Sequence, residues 1–132
     1  MNHWVLVDTS AVYALVSSTD QFHTDAHRTL DKLIEERAII FITNYVLVEF
    51  QALAIPRLGF ETVRNFIEWS RGLFYIRWIN METHWQAWQL MQERWPRLSF
   101  VDATTIVVAR ALQCTVFTFD NDFRQEGLPV LP

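Results

Sequence analysis

A short apolar run that ends in a carboxylate constrains the fold of this chain more than any other feature. Residues 5–7 are Val-Leu-Val, and Asp8, Thr9 and Ser10 follow directly. Strands that are buried on both faces of a parallel sheet have continuous apolar sequences. The run therefore predicts a central strand that places Asp8 at the carboxyl end of a sheet, where ligands bind in open α/β folds. A helix starting at Ser10 is predicted next, and helix capping by Asp8 or Ser10 explains the same residues equally well.

The rest of the chain alternates between apolar β-branched runs and segments with helical periodicity. The further predicted strands are residues 38–42, 74–79, 115–119 and, as a short fifth, 129–131. The predicted helices are residues 10–16, 22–37, 45–58, 60–71, 82–95 and 99–112. This order predicts a single α/β domain over residues 1–132, with a mainly parallel sheet of four to five strands that helices cover on both faces.

The composition excludes several classes of protein. Cys114 is the sole cysteine, which rules out an internal disulfide and a zinc finger. No apolar stretch is long enough for a membrane span, and Asp8 interrupts the region where a signal peptide would be apolar. We therefore expect a cytoplasmic protein without a membrane anchor. The net charge of −4 argues against a broad nonspecific nucleic-acid surface but says little about a local site.

Further carboxylates occupy places comparable to that of Asp8. Glu49 is the single charge in an apolar helical segment, and Asp120 directly follows the fourth predicted strand. Asp102 falls in the first turn of a helix that Ser99 can cap. Each position also has an ordinary explanation. Glu49 could lie on the exposed edge of its helix, Asp120 is a common turn residue, and Asp102 could interact favourably with the helix N-terminus. Because Asp8 and Asp120 both follow strand carboxyl ends, we nevertheless expect these acids to converge at one edge of the sheet.

Converging carboxylates require either a cation or a proton. Two like charges about 4 Å apart repel by on the order of 1 kcal/mol in water and about 4 kcal/mol at an effective dielectric of 20. No lysine or arginine lies inside the four acidic segments. Oxygen ligands suit a hard divalent ion such as Mg²⁺ or Mn²⁺. Such an ion can activate water and stabilise charge on a phosphoryl oxygen, which is the chemistry of phosphodiester hydrolysis.

The four acidic segments resemble those of PIN-domain ribonucleases, most closely the VapC-type toxins of VapBC toxin–antitoxin pairs. The resemblance covers nearly the whole chain and is carried by residues 8–10, Glu49, 99–103 and 118–123. It implies a three-layer α/β/α fold and a Mg²⁺- or Mn²⁺-dependent endoribonuclease. The residues that match the family's site are the catalytic and metal-binding acids Asp8, Glu49, Asp102 and Asp120, the accessory or alternate ligand Asp122, and the supporting hydroxyl residues Ser10 and Thr118.

The resemblance also implies partners. It predicts a structured cellular RNA as the substrate, a small antitoxin that inserts a segment into the acidic site, and a homodimer. Two other functions stay open. One is a PIN-like protein-binding module with little catalysis that works through its aromatic surface, and the other is a metal-dependent nuclease outside any toxin system.

One aromatic cluster has two interpretations. Helical spacing puts Met81, Trp85, Trp88 and Trp95 on one face of the helix predicted at 82–95. We expect this face to pack in the core, and a dimer or partner surface is the alternative.

Overall fold

The sheet is built around the strand that the sequence places first. A computed structural model describes residues 3–132. Its strands are β1 (Trp4–Val7), β2 (Ile39–Thr43), β3 (Tyr75–Arg77), β4 (Thr115–Phe117) and β5 (Val130–Leu131). All neighbours pair in parallel, in the order β3-β2-β1-β4-β5. The predicted parallel sheet is therefore confirmed, with β1 at its centre.

The central position of β1 explains its continuous apolar sequence. Val5, Leu6 and Val7 are completely buried. Val5 and Val7 pack into the core on one face of the sheet, whereas Leu6 packs into the core on the other face. Side chains alternate along a strand, so a strand with a core on each side must be apolar at every position.

Helices form the two outer layers. They are α1 (Thr9–Val16), α2 (His23–Glu35), α3 (Asn44–Leu58), α4 (Phe60–Ser70), α5 (Met81–Arg94), α6 (Phe100–Leu112) and α7 (Asp122–Gln125). The first four contribute buried side chains to the core that contains Val5, and the last three to the core that contains Leu6. The three-layer α/β/α fold is thus confirmed. Within residues 3–132, every helix is too short or too polar to cross a membrane.

The carboxyl end of β4 differs from the prediction. The strand predicted at 115–119 ends at Phe117, because the amide of Phe119 donates to Ser10 Oγ at 3.0 Å instead of joining the sheet. The chain then turns, and the short helix α7, which the sequence analysis did not predict, begins at Asp122.

The strand β3 is also shorter than the predicted span of 74–79. It is an edge strand with exposed side chains, and beyond it the amide of Ile79 donates to Oδ1 of Asn44 at 2.8 Å. This side-chain acceptor takes the place of a strand partner. The other predicted elements agree with the structure to within one or two residues at each end.

The prediction that the aromatic face of α5 packs in the core is wrong. The side chains on this face are exposed, and they are Met81, Trp85, Trp88 and Trp95. The helix instead packs against the rest of the protein through Ala87 and Leu90, on its opposite side. Helical periodicity identifies an apolar face, but it does not say which of two apolar faces meets the core.

A charged cluster joins the helices on the Leu6 side of the sheet. Glu126 follows α7, and its side chain is only 4% exposed. It accepts hydrogen bonds from Arg94 Nε at 2.9 Å and Arg110 at 3.0 Å, and it also pairs with Arg97. Hydrogen bonding by Arg94, followed by Arg110 and Arg97, lowers the pKa of Glu126 to about 2. The cluster therefore connects α5, α6 and the end of α7.

We expect the substitution Glu126→Gln to lower the free energy of unfolding by about 2 kcal/mol, because three arginines lose one shared anion. The figure is below that for a fully buried pair because the arginines are partly exposed. A depressed pKa adds stability that is present above the ordinary value of 4.5 and is lost as the pH falls towards about 2. Urea unfolding at neutral pH and at about pH 3 measures both effects.

The control is Glu61→Gln, which removes an exposed pair with Arg64 at 3.2 Å and should change stability by less than about 0.5 kcal/mol. Equal effects of the two substitutions would contradict the role of the cluster.

Candidate active site

Asp8 lies at the carboxyl end of the central strand. Its amide donates to the carbonyl of Phe117 at 3.0 Å, so pairing of β1 with β4 determines where the side chain begins. Its carboxylate also accepts from the amide of Ser10 at 3.3 Å and caps the N-terminus of α1. Asp8 therefore both caps α1 and lies at the carboxyl edge of the sheet.

Two hydroxyl groups orient the carboxylate of Asp8. Ser10 Oγ and Thr118 Oγ1 each donate to Asp8 Oδ2 at 2.9 Å. Backbone amides position these hydroxyls in turn, since Phe119 donates to Ser10 Oγ and Asp120 donates to Thr118 Oγ1, both at 3.0 Å. These contacts tie Asp8 to the segment that follows β4.

The second oxygen of Asp8 is buried without a partner. Asp8 is only 2% exposed, and its Oδ1 accepts no hydrogen bond from any residue in the range 3–132. Burial raises the pKa of Asp8 above its usual value, although the hydrogen bonds to Oδ2 act in the opposite direction. A buried ionised carboxylate oxygen without a partner is unfavourable, so this oxygen is suited to a cation.

Asp102 adds a second carboxylate from α6. Ser99 caps this helix, and its Oγ accepts from the amide of Asp102 at 3.1 Å. Burial raises the pKa of Asp102 to about 7, and the charges of Asp8, Asp120 and Glu49 contribute in the same direction. Carboxylates from four segments of the chain therefore act on one another here.

Asp120 and Asp122 follow β4 and belong to the same acidic group. One carboxylate oxygen from each of Asp102, Asp120 and Asp122 lies within 4.8 Å of the others. Asp120 Oδ1 accepts a hydrogen bond from the amide of Asp122 at 2.9 Å. Burial raises the pKa of Asp120, and the negative charge of Asp122 raises it further.

Asp122 differs from the other acids because it has a cationic partner. Arg97 donates to its Oδ1 at 3.2 Å. The sequence shows no basic residue inside the acidic segments, and the structure brings one in from the connection between α5 and α6. The charge of Asp122 is therefore partly neutralised by the protein itself.

A cleft of about 430 Å³ collects most of the predicted site. The predicted acids that line it are Asp8, Glu49, Asp102 and Asp120. Glu49 comes from α3 and is half-buried. Ser10 also lines the cleft, whereas Thr118 lies behind Asp8 and Asp122 lies outside the lining.

The cleft residues fit a divalent cation. They offer only oxygen donors of the kind that Mg²⁺ and Mn²⁺ prefer. Oδ1 of Asp8 has no partner. Burial first, and then the charges of neighbouring carboxylates, raise the pKa values of Asp102 and Asp120, and a cation would offset those charges. The residues that would hold the ion are Asp8, Glu49, Asp102 and Asp120, with Asp122 beside them.

Tyr13 and Arg57 are among the cleft residues that were not predicted as site residues from the sequence. Arg57 lies eight residues after Glu49 on α3, with Leu53 midway between them. The repeated spacing of four residues indicates a shared helix face. An arginine near a helix C-terminus is so ordinary that this signal alone does not predict a functional residue.

Comparison with known proteins gives a family match over most of the chain. Residues 5–127 match the model of the PIN domain family. No curated protein matches the chain.

Several solved structures are similar along almost the entire length. VapC20 of Mycobacterium tuberculosis, described as a toxin that cleaves the sarcin–ricin loop, is 27% identical, with a TM-score of 0.84 and coverage of 97% of this chain and 99% of that one. VapBC2 of Rickettsia felis, solved with a fragment of its promoter DNA, is 14% identical, with a TM-score of 0.73 and 96% coverage of both chains. A toxin–antitoxin complex of Klebsiella pneumoniae is 18% identical, with a TM-score of 0.70 and coverage of 97% and 96%.

The last two structures establish a shared fold alone, because their sequence identities are low. The family model extends from the start of β1 to just beyond α7 and includes every segment that contributes an acid to the cleft. This chain belongs to the PIN domain family.

Proposed function

We propose that this protein is a Mg²⁺- or Mn²⁺-dependent endoribonuclease and the toxin of a type II toxin–antitoxin pair. The observation that carries the proposal is the buried, unpartnered Oδ1 of Asp8 in a cleft shared with Glu49, Asp102 and Asp120. Membership of the PIN domain family supports nuclease activity. The similarity to VapC20, a toxin that cleaves the sarcin–ricin loop, supports structured RNA as the substrate class.

In this proposal the acids of the cleft are the ligands of the cation. Asp8, Glu49, Asp102 and Asp120 would hold it, and Asp122 would be an accessory ligand whose availability depends on Arg97. When bound, a divalent cation supplies Lewis acidity, which favours deprotonation of a water and offsets charge that develops on the phosphate.

The remaining chemistry belongs to the side chains of the protein. Ser10 and Thr118 fix the orientation of Asp8 through its Oδ2, and Oδ1, which has no protein partner, would be the oxygen available to a cation. Among residues 3–132, no histidine, cysteine or lysine lines the cleft. We therefore propose that a water oxygen attacks the phosphorus and that a cleft carboxylate accepts the proton of this water. One P–O bond of the RNA backbone breaks, and the leaving oxygen takes a proton from solvent.

The proposed protein partners are a cognate antitoxin and a second copy of the chain, acting in the cytoplasm. The similar structures of VapBC2 and of the Klebsiella complex contain toxin–antitoxin pairs and support an antitoxin partner. The exposed tryptophans on α5 and after it provide apolar surface that a protein partner could cover. The same surface favours the second candidate function, a protein-binding module with little catalysis.

Cleavage of a mixed pool of structured RNAs by the purified protein tests the proposed function. We expect discrete products with Mn²⁺, no products with EDTA, and no products from an Asp102→Asn variant. The matched control is Asp31→Asn, which removes an exposed carboxylate of α2 that does not line the cleft.

Cleavage that survives EDTA, or that a folded Asp102→Asn protein performs at the normal rate, would contradict the metal-dependent mechanism. If the folded, partner-free protein cleaves no RNA but binds a protein partner, the binding module becomes the better description. A single-stranded DNA pool in the same assay separates ribonuclease from deoxyribonuclease activity.

A further inference from the structure

The cleft has two chemically different ends along α3. Glu49, Leu53 and Arg57 are spaced four residues apart on this helix, and all three line the cleft. At 1.5 Å per residue, Arg57 lies about 12 Å along the helix axis from Glu49. Along this helix face, the carboxylate of Glu49 therefore lies at one end and the guanidinium of Arg57 at the other.

Arg57 makes no ion pair with any residue in the range 3–132, unlike most basic side chains of the protein. The basic residues that do pair with carboxylates are Arg28, Lys32, Arg64, Arg71, Arg94, Arg97 and Arg110. Arg57 is also the only basic residue among those that line the cleft in the described chain. Its guanidinium is therefore available to an anion from outside the protein.

An aromatic ring lies beside the guanidinium of Arg57. Its guanidinium carbon lies 6.0 Å from the ring centroid of Tyr13, which comes from α1 and lines the same cleft. A cation–π contact at this distance positions a guanidinium and leaves its N–H donors available. Asp20 also lines the cleft, but its Oδ1 accepts from the amide of Phe22 at 2.8 Å rather than from Arg57.

A guanidinium in an acidic cleft is chemically suited to a phosphate. Arginine donates two parallel hydrogen bonds to phosphate oxygens, and its charge counters the repulsion that the cleft acids exert on a polyanion. Because the backbone positions of Glu49 and Arg57 lie about 12 Å apart along α3, a phosphate next to the one at the acidic end fits Arg57 better than that phosphate itself. The apolar surface between the two ends, formed by Tyr13 and Leu53, suits a ribose or base.

We propose that Arg57, beside Tyr13, binds a backbone phosphate of the RNA substrate that neighbours the phosphate being cleaved. This inference rests on the proposed ribonuclease function and adds a phosphate subsite to it. Arg57 is a substrate-binding residue in this assignment and takes no part in the bond cleavage.

Steady-state cleavage at several salt concentrations tests the subsite with Arg57→Gln and Arg57→Lys. For Arg57→Gln we expect KM for RNA to rise about tenfold, kcat to stay within about twofold, and the salt dependence of kcat/KM to decrease by about one phosphate contact. Arg57→Lys retains the charge and should retain the salt dependence, but it should recover KM only in part because lysine lacks the paired donors.

The matched control is Arg64→Gln, which removes an exposed arginine from α4 that pairs with Glu61. Equal increases in KM for the two glutamine variants would overturn the proposal, because they would reflect net charge alone. An unchanged salt dependence or a loss confined to kcat for Arg57→Gln would also overturn it. Melting temperatures show whether each variant is folded.

Direct binding separates failure of the subsite from failure of the proposed function. Fluorescence anisotropy of a labelled structured RNA measures affinity for each variant without requiring cleavage. If the wild-type protein neither binds nor cleaves RNA, the proposed function fails and the subsite fails with it. If the wild-type protein binds and cleaves RNA and the Arg57→Gln variant does so equally well, only the subsite fails. If Arg57→Gln loses affinity for an antitoxin and keeps its affinity for RNA, Arg57 is a protein-binding residue and the subsite is overturned.

Discussion

Asp8→Asn is expected to reduce RNA cleavage at least about a thousandfold while the protein remains folded. Asparagine can still accept the hydrogen bonds of Ser10 and Thr118 through its carbonyl oxygen, so the local structure should persist. It places an NH₂ group where Oδ1 now lies, and this group carries no charge and has no free lone pair with which to bind a cation. Single-turnover cleavage with Mn²⁺ measures the loss.

The same substitution should raise the melting temperature of the metal-free protein. Burial raises the pKa of Asp8, so its ionised form destabilises the folded state at neutral pH, and a neutral side chain removes that penalty. Thermal melts in EDTA, with Asp31→Asn as the control, measure the change. Normal cleavage by a well-folded Asp8→Asn protein would contradict the mechanism, and a lower melting temperature would contradict the account of the buried charge.

Chelation of divalent ions is expected to abolish cleavage completely, and cation binding should weaken as the pH falls. The pKa of Asp102 is raised to about 7 in the metal-free protein, so a proton must leave before this carboxylate binds a cation. We expect Mn²⁺ affinity to rise with pH up to about pH 7, with Asp102 contributing up to about tenfold per pH unit, and this contribution should then level off. Isothermal titration at about pH 5.5, 6.5 and 8 measures this trend.

Stability of the metal-free protein should change with pH in the opposite direction. A raised pKa means that the folded state binds more protons than the unfolded chain between the ordinary value of 3.8 and about 7. The stability associated with Asp102 is therefore present at low pH and is lost as the pH rises through about 7. Asp102→Asn should flatten both profiles, and a pH dependence that is unchanged in this variant would assign the proton to another group.

Local patterns were sufficient for most of the fold. The apolar run at residues 5–7 predicts a central strand because only a strand with a core on each face lacks polar positions. Aromatic and apolar residues at 74–79 predict a strand equally well, but the sequence does not show that β3 lies at an exposed edge or that Asn44 ends it. The tryptophans of α5 illustrate the same limit, since their helical spacing defines a face without saying what covers it.

The acids were predictable as a set because strand ends and helix starts meet at one edge of a parallel α/β sheet. Their individual environments were not predictable. The pairing of Asp122 with Arg97 joins residues 25 positions apart. The hydrogen bond from Thr118 to Asp8 joins residues 110 positions apart.

By itself, therefore, the sequence determined the layer architecture, the order of the strands along the chain and the candidate acids, because these depend on residue type and spacing over a few turns or strands. Only the tertiary structure decided that Oδ1 of Asp8 is buried without a partner, that Asp122 is partly neutralised, and that Arg57 faces the cleft against Tyr13. These properties depend on distances of a few ångströms between segments that are far apart in the chain, and such distances are set by packing rather than by any local pattern.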